Sequence, residues 1–166
     1  MQNLMVDEKT KTRLHRETAH MLSWDLNYSQ TATLESLLNG AFFPLQGYMD
    51  RETLEHVRRH RRLSVGTPWP AAVNLAVTEQ SSAGLNKGDR IVLRHPEGMA
   101  LAVLTVGETW KPVFPTPNAD SDSSALFPML QGMEPVFLSG AVQGLQLPPH
   151  HTFKEFRRTP EEVCKL

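Results

Sequence analysis

Apolar residues recur at two different spacings along the chain, and the change of spacing separates helical from extended segments. Within residues 29–62 two segments have apolar positions three or four residues apart, which predicts short helices. From residue 70 onward they alternate with polar or small residues, which predicts β-strands. The pattern therefore indicates an α+β fold.

The first clear helix is predicted over residues 29–38, where three leucines lie at helical spacing. Ser29 or Thr31 is the expected N-cap, because a hydroxyl can accept a hydrogen bond from a free N–H of the first turn. Asn39 and Gly40 end the helix, since glycine adopts positive φ without steric cost.

The residues that follow this helix predict a compact and buried corner of the fold. A proline cannot continue the helix and restricts the residue before it, while a later glycine permits a second turn. The corner carries no nucleophile, metal cluster or phosphate loop, so a structural role is favoured. Its candidate residues are Asn39, Gly40, Phe43, Pro44, Gly47 and Tyr48.

A second helix is predicted over residues 51–62, beginning at an Asp50 N-cap and carrying a thin apolar face. Its His56 and His60 are four residues apart, a spacing at which two imidazoles can bind one metal ion. The neighbouring arginines oppose a cation, so a solvated basic face is favoured over a metal site. The same basic run could contact phosphates, which leaves nucleic-acid binding open as an alternative.

The second half of the chain predicts strands joined by turns. A strand is predicted over residues 70–79 and a loop over 80–89. The clearest hairpin covers residues 90–106, because a turn with proline early and glycine late at 95–98 separates two β-rich runs. Residues 135–147 resume β character, and their two glycines indicate bulges or a barrel corner. The inward face of the first strand is expected to consist of Val73, Leu75 and Val77.

The last residues carry the signature of a helix start. Thr159 is a suitable N-cap, Pro160 fits the first helical position, and Glu162 can return a hydrogen bond to the cap. Only four residues follow Glu162, which is too few for a stable helix by itself. We therefore expect a domain cut from something longer.

The composition is that of one globular domain. The chain has 166 residues, 40% of them hydrophobic and 21% charged, and its net charge is −1. This charge gives no overall bias toward nucleic acid or an anionic membrane, and no apolar run is long enough to span a bilayer. A single cysteine predicts a cytoplasmic protein. The polar residues 1–20 predict a flexible leader, which is left unassigned or partly helical because it shows no apolar period.

Few residues point to catalysis. His150 and His151 follow two prolines and are predicted in a rigid loop, with no carboxylate spaced to orient either ring. Nothing in the sequence activates Cys164 as a nucleophile, and the glycine-rich phosphate loops are missing. We therefore expect no catalytic, cofactor-binding or metal-binding residues in this chain.

Four segments resemble one known family and occur in the family's order. The first contains Leu-Asn-Gly followed by Phe-Pro-Leu, and the second contains Gly-Thr-Pro-Trp-Pro before a strand. The third is the hairpin, and the fourth is the passage out of the domain. These segments are residues 34–49, 62–77, 88–106 and 138–163. Together they resemble the N-terminal domain of ATP sulfurylase (sulfate adenylyltransferase).

The resemblance implies a PUA-like, β-barrel-type domain with flanking short helices over residues 21–158, and the start of a linker helix over 159–166. In the family, residues of a following domain transfer an adenylyl group between ATP and sulfate. Their Gln-x-Arg-Asn-Pro-x-His segment does not occur here. The resemblance thus implies a scaffolding domain of sulfate activation and sulfur metabolism that is inactive alone. Its partner would be the catalytic domain, in cis or in trans, and a homo-oligomer is compatible with this reading.

The resemblance weakens within a predicted loop over residues 113–128. The family has an acidic, alanine-rich stretch at this point, whereas this chain is rich in proline and serine, with Phe127 and Pro128 still recognisable. Contacts made by that loop are therefore not carried over. Two alternatives stay open: a PUA-like RNA-binding module, favoured by the basic run 56–62, and a module that binds a protein or a small ligand.

Overall fold

The computed structural model describes residues 3–113, 135–152 and 156–165. Within them the chain forms an α+β fold, as its pattern predicts. The helices are α1 (Glu8–Glu17), α2 (Tyr28–Leu38), α3 (Arg51–His60), α4 (Glu79–Ser82) and α5 (Pro160–Cys164), with a 3₁₀ turn at Thr18–His20. The strands are β1 (Leu22–Asp25), β2 (Gly47–Tyr48), β3 (Leu75–Thr78), β4 (Arg90–Arg94), β5 (Ala100–Trp110) and β6 (Pro135–Gly144). None of the helices in these ranges has the length and apolarity that a membrane span requires.

The chain divides into two compact units. The first unit takes in the described residues of 1–47, 88–105 and 141–166, and the second those of 48–87 and 106–140. Strands β5 and β6 each contribute residues to both units.

The strands belong to one mixed sheet, hydrogen-bonded in the order β1-β4-β5-β6-β2, with β3 pairing with β6. In the first unit β1 runs parallel to β4, and β4 pairs with β5 as the predicted antiparallel hairpin. Its turn closes with a bond of 2.8 Å from the His95 N–H to the Met99 carbonyl, and Gly98 has a φ of 88°. The proline–glycine turn signal is therefore confirmed.

Within the predicted leader over residues 1–20, helix α1 agrees with the partly helical character that the sequence left open. Asp7 caps helix α1 by accepting a hydrogen bond of 3.0 Å from the Thr10 N–H. One turn later, Leu14 is fully buried in an apolar cluster of the first unit. A single buried position gives no visible period, so the sequence pattern could not define the bounds of this helix. The cluster consists of Leu14, Val92, Ala100, Val103 and Leu145.

Helix α2 begins earlier than the sequence pattern predicts. Its N-cap is Asn27, whose side chain accepts from the Gln30 N–H at 2.8 Å while the Gln30 side chain accepts from the Asn27 N–H at 3.1 Å. This reciprocal pair satisfies two free donors, so the predicted caps Ser29 and Thr31 were wrong. The Thr31 hydroxyl instead donates to the Asn27 carbonyl. The three leucines of the helix are buried as predicted.

The second unit contains α3, and its Asp50 N-cap is confirmed by a bond of 2.8 Å from the Thr53 N–H. The helix ends two residues before the predicted position 62, because Arg61 adopts the left-handed conformation with a φ of 53°. Helix α4 occupies the start of the segment that was predicted to be a loop. The predicted inward residues Val73, Leu75 and Val77 are all buried.

Candidate functional site

The corner residues after α2 differ in their burial. Gly40 has a φ of 84°, so it ends α2 in the way that the sequence predicts. Gly47 and Tyr48 are buried, but the side chain of Phe43 is 49% exposed. The expectation of a fully buried corner is therefore wrong at Phe43, since this aromatic ring points largely to solvent.

Tyr48 lines a cavity of about 460 Å³ within the second unit. Asp50, Lys87, Glu108 and Ser139 supply its other polar walls, together with two glycines. The cavity gathers groups from four separate parts of the chain, so the sequence alone gives no signal for it.

The polar groups of this cavity are largely engaged with backbone donors. Asp50 caps α3, and a Glu108 oxygen accepts from the Arg51 N–H at 3.3 Å. Both carboxylates therefore lie at the N-terminus of α3, where they accept hydrogen bonds from its first N–H groups. The Ser139 hydroxyl accepts from the Glu108 N–H at 2.9 Å. Among the described residues that line the cavity there is no imidazole, so the cavity contains no serine–histidine pair.

The Tyr48 hydroxyl is buried and has no hydrogen-bond partner among the described residues. Burial raises the pKa of Tyr48 well above its usual range, because a phenolate would lose its hydration. Tyr48 therefore stays a neutral phenol at physiological pH and does not supply a proton acceptor to the cavity.

A hydrogen-bonded pair of side chains, which the sequence did not predict, holds the segment after β6 to the first unit. The Nε2 atom of His150 lies 2.6 Å from Oε1 of Glu35 on α2, and both side chains are about three-quarters buried. The prediction that no carboxylate orients His150 is therefore wrong, because the partner lies 115 residues away along the chain. His151 is mostly exposed, with its Nε2 3.8 Å from a Glu97 oxygen.

Arg157 extends this cluster. Its guanidinium lies 3.3 Å from the same Nε2 of His150. A guanidinium can only donate, and the short contact to Glu35 requires an N–H on Nε2 when the carboxylate is ionised. His150 therefore donates to Glu35, and the Arg157 guanidinium lies next to the ring without a hydrogen bond to Nε2.

The predicted helix start at the end of the chain is confirmed. The Thr159 hydroxyl accepts from the Glu162 N–H at 3.3 Å, and a Glu162 oxygen accepts from the Thr159 N–H at 2.6 Å. Pro160 occupies the first helical position. The bonds from the Thr159 N–H and then its hydroxyl hold the pKa of the Glu162 carboxyl below its usual range.

The basic run of α3 has its own internal contacts. The rings of His56 and His60 lie 4.6 Å apart, and no cluster of metal-ligating side chains accompanies them in the described ranges. Arg61 and Arg62 each donate to a carbonyl of the loop that follows, at 3.4 and 3.1 Å. These two guanidiniums are therefore partly engaged within the protein.

Comparison with known proteins decides the family. The family model described as PUA-like domain matches residues 1–125. The chain belongs to the PUA-like domain family. This result confirms the PUA-like fold predicted from the resemblance. The matched range includes the residues of helix α1.

Relatives of this PUA-like domain carry the name that the resemblance indicated. A sulfate adenylyltransferase of Eremothecium gossypii is 29% identical over 93% of this chain and 32% of the relative. A probable bifunctional SAT/APS kinase of Sorangium cellulosum is 30% identical over 95% of this chain and 28% of the relative. The resemblance to sulfate adenylyltransferase is thereby confirmed.

A solved structure shows the same architecture. It is titled hexameric APS kinase from Thiobacillus denitrificans, has a TM-score of 0.80 and is 32% identical in sequence. The match covers 99% of this chain and 29% of that chain. The PUA-like domain thus spans about a third of the length of the proteins that it resembles.

Proposed function

We propose that this PUA-like domain is the non-catalytic, scaffolding part of an ATP-sulfurylase-type protein that acts in sulfate activation. In this role it orients a nucleotide-binding domain that is supplied in cis or in trans. The observation that carries the proposal is the extent of the match: over nine-tenths of the chain aligns with sulfate adenylyltransferase, and this accounts for about a third of that enzyme. A single cysteine fits a cytoplasmic setting, and a homo-oligomer is part of the same proposal.

The path of the chain after β6 supports an orienting role. The N–H groups of Leu145 and Gln146 both donate to the Leu101 carbonyl, at 2.8 and 3.2 Å. The Gln146 amide donates to the Ala100 carbonyl at 2.9 Å, and the His150–Glu35 pair follows. The backbone is thus fixed to the first unit up to His150, so whatever follows it starts from a defined direction.

Exposed apolar side chains beyond this point support contact with a further domain. Phe156 is 76% exposed and Val163 is 54% exposed, although α5 is well capped. Isolated exposed apolar residues are ordinary, but these two flank the segment that the proposal assigns to a linker.

The described residues offer little for adenylyl transfer itself. Such a reaction needs donors or metal ions aimed at the charge that develops on the phosphates. The carboxylates that line the cavity in the second unit accept hydrogen bonds from the N-terminus of α3. Lys87 is the one cation among the described residues that line this cavity. The proposal therefore assigns the chemistry to another domain.

A chimera tests the orienting role. The matching third of the Eremothecium gossypii enzyme would be replaced by this chain, and sulfate-dependent exchange between ATP and pyrophosphate would be measured. We expect an active chimera in which His150→Ala lowers exchange several-fold while both parts stay folded. His151→Ala is the matched control and should leave exchange unchanged, because its side chain lies mostly in solvent.

Two results would overturn the proposal. One is a chimera that folds, as judged by circular dichroism and a cooperative melt, yet shows no exchange. The other is an equal effect of His150→Ala and His151→Ala, which would mean that the Glu35 pair does not orient the following segment.

The exposed basic turn at the end of α3 favours RNA binding as a second candidate. Arg59, His60, Arg61 and Arg62 are all exposed there. Real phosphate contacts would give a mobility shift whose affinity falls steeply with salt. Engagement of Arg61 and Arg62 by carbonyls makes this candidate the weaker one.

A further inference from the structure

A small cleft in the second unit lies against one face of α3, the end of β5 and the start of β6. Its volume is about 30 Å³. Charged groups line it from α3 and from the residue after β5, and two aromatic rings form a wall. The residues that matter here are Arg51, Glu55, Arg58, Trp110, Lys111 and Phe137.

Helical periodicity explains why the α3 residues meet at the cleft. Arg51, Glu55 and Arg58 are four and then three residues apart, so they lie on one face of the helix. The opposite wall is held rigidly, because Trp110 packs edge-to-face on buried Phe137 with ring centroids 5.7 Å apart. The cleft therefore has a positively charged side and an apolar side.

The charges of the cleft do not balance. Among the described residues, three cations and one carboxylate line it. Glu55 lies 3.7 Å from the Arg58 guanidinium, and Lys111 is paired with Glu79 at 2.9 Å. The Arg51 guanidinium makes no hydrogen bond or ion pair with any residue that the structure describes. It therefore keeps its full set of donors for a ligand.

We propose that this cleft binds a small tetrahedral oxyanion, a phosphate or sulfate group that is either free or esterified. Arg51 donates to the anion, Arg58 donates from one turn further along the helix face, and Lys111 adds positive charge. A guanidinium fork matches the oxygen spacing of such groups, and the apolar wall strengthens the attraction by excluding water.

The volume of the cleft limits the size of the group that it can enclose. A water molecule needs roughly 10–15 Å³ of such space. The cleft of about 30 Å³ thus encloses two or three oxygen atoms and is too small to enclose a nucleobase or a sugar ring. The rest of the anion lies at the mouth, where an ester substituent is compatible with binding. This inference does not rest on the proposed scaffolding role.

Isothermal titration calorimetry with inorganic phosphate and with sodium sulfate tests the proposal, using the whole chain at low ionic strength. We expect saturable binding to one site, and a shift of the Trp110 indole resonance in NMR spectra. Arg51→Gln should weaken binding about tenfold or more, and Arg51→Lys should weaken it less because the charge remains. Arg59→Gln is the matched control, since it removes one charge from the same helix outside the cleft.

The proposal fails if no saturable binding is seen with either anion, or if sodium chloride at matched ionic strength gives the same response. It also fails if Arg51→Gln and Arg59→Gln weaken binding equally, since the effect would then come from net charge. Circular dichroism of each variant checks that α3 is intact. The binding affinities for inorganic phosphate and for a phosphate ester such as phosphoserine are compared, to decide whether the ligand is a free anion or an ester.

Discussion

Replacing Leu14 by alanine tests how firmly the N-terminal helix belongs to the first unit. Leu14 is 0% exposed and packs in a cluster with Val92, Val103 and Leu145, which come from three other parts of the chain. Truncation removes three buried carbon atoms and leaves a cavity that a cluster of branched residues fills only partly. We expect a loss of about 2–5 kcal/mol in the free energy of unfolding.

Urea unfolding followed by far-ultraviolet circular dichroism measures this loss, and a thermal melt supports it. For a chain of this size each kcal/mol corresponds to roughly 2–4 °C in the melting temperature. Leu22→Ala is the matched control in the same unit. The side chain of Leu22 is 67% exposed, so its truncation should change the free energy by no more than about 0.5 kcal/mol.

Equal and small effects of Leu14→Ala and Leu22→Ala would refute this reasoning. That outcome would mean that α1 is detached from the core in solution, and that residues 1–20 behave as the leader that their composition suggests. A large effect at Leu22 alone would contradict the burial pattern of β1.

Three further substitutions test other parts of the structure. A Cβ at Gly144 would lie 2.7 Å from Cδ2 of Leu38. Gly144→Ala should therefore lower the free energy of unfolding, measured in urea, by about 1–3 kcal/mol. An unchanged urea midpoint would contradict this packing. Tyr48→Phe removes a buried hydroxyl without a partner and should leave stability unchanged or raised; a clear loss would reveal a hidden hydrogen bond. Thr159→Ala should unwind α5 in NMR spectra. The pKa of Glu162 is lowered on folding, so the stability that its carboxylate gives to α5 is present above the unfolded pKa. This stability should be lost as the pH falls through the folded pKa. Helix signals that are insensitive to acid would contradict the proposed cap.

Features that depend on neighbouring residues could be predicted from the sequence. The turn before β5 needs a residue with positive φ at Gly98, and the order of proline and then glycine in the sequence predicts this turn. The caps at Asp50 and Thr159 need a short polar side chain just before a helical run, which is visible in one stretch of sequence. In each case the atoms that make the bond are within four residues of each other.

Features that depend on distant residues could not be predicted. His150 contacts Glu35, which is 115 residues away in the sequence, and no residue near either one predicts this contact. Leu14 is similar, since one buried leucine on a polar helix becomes informative only when its cluster is known. The cap at Asn27 was visible locally, but Ser29 and Thr31 offered the same chemistry two and four residues later. The N-cap was therefore predicted wrongly because several neighbouring residues could cap the helix, and not because the bonded residues are far apart in sequence.

Sulfate-dependent exchange of labelled pyrophosphate into ATP by the purified chain tests the central claim most directly. We predict no exchange above a protein-free control, because the proposed function assigns the reacting groups to another domain. Exchange that requires sulfate, scales with protein concentration and co-elutes with the chain on gel filtration would contradict it.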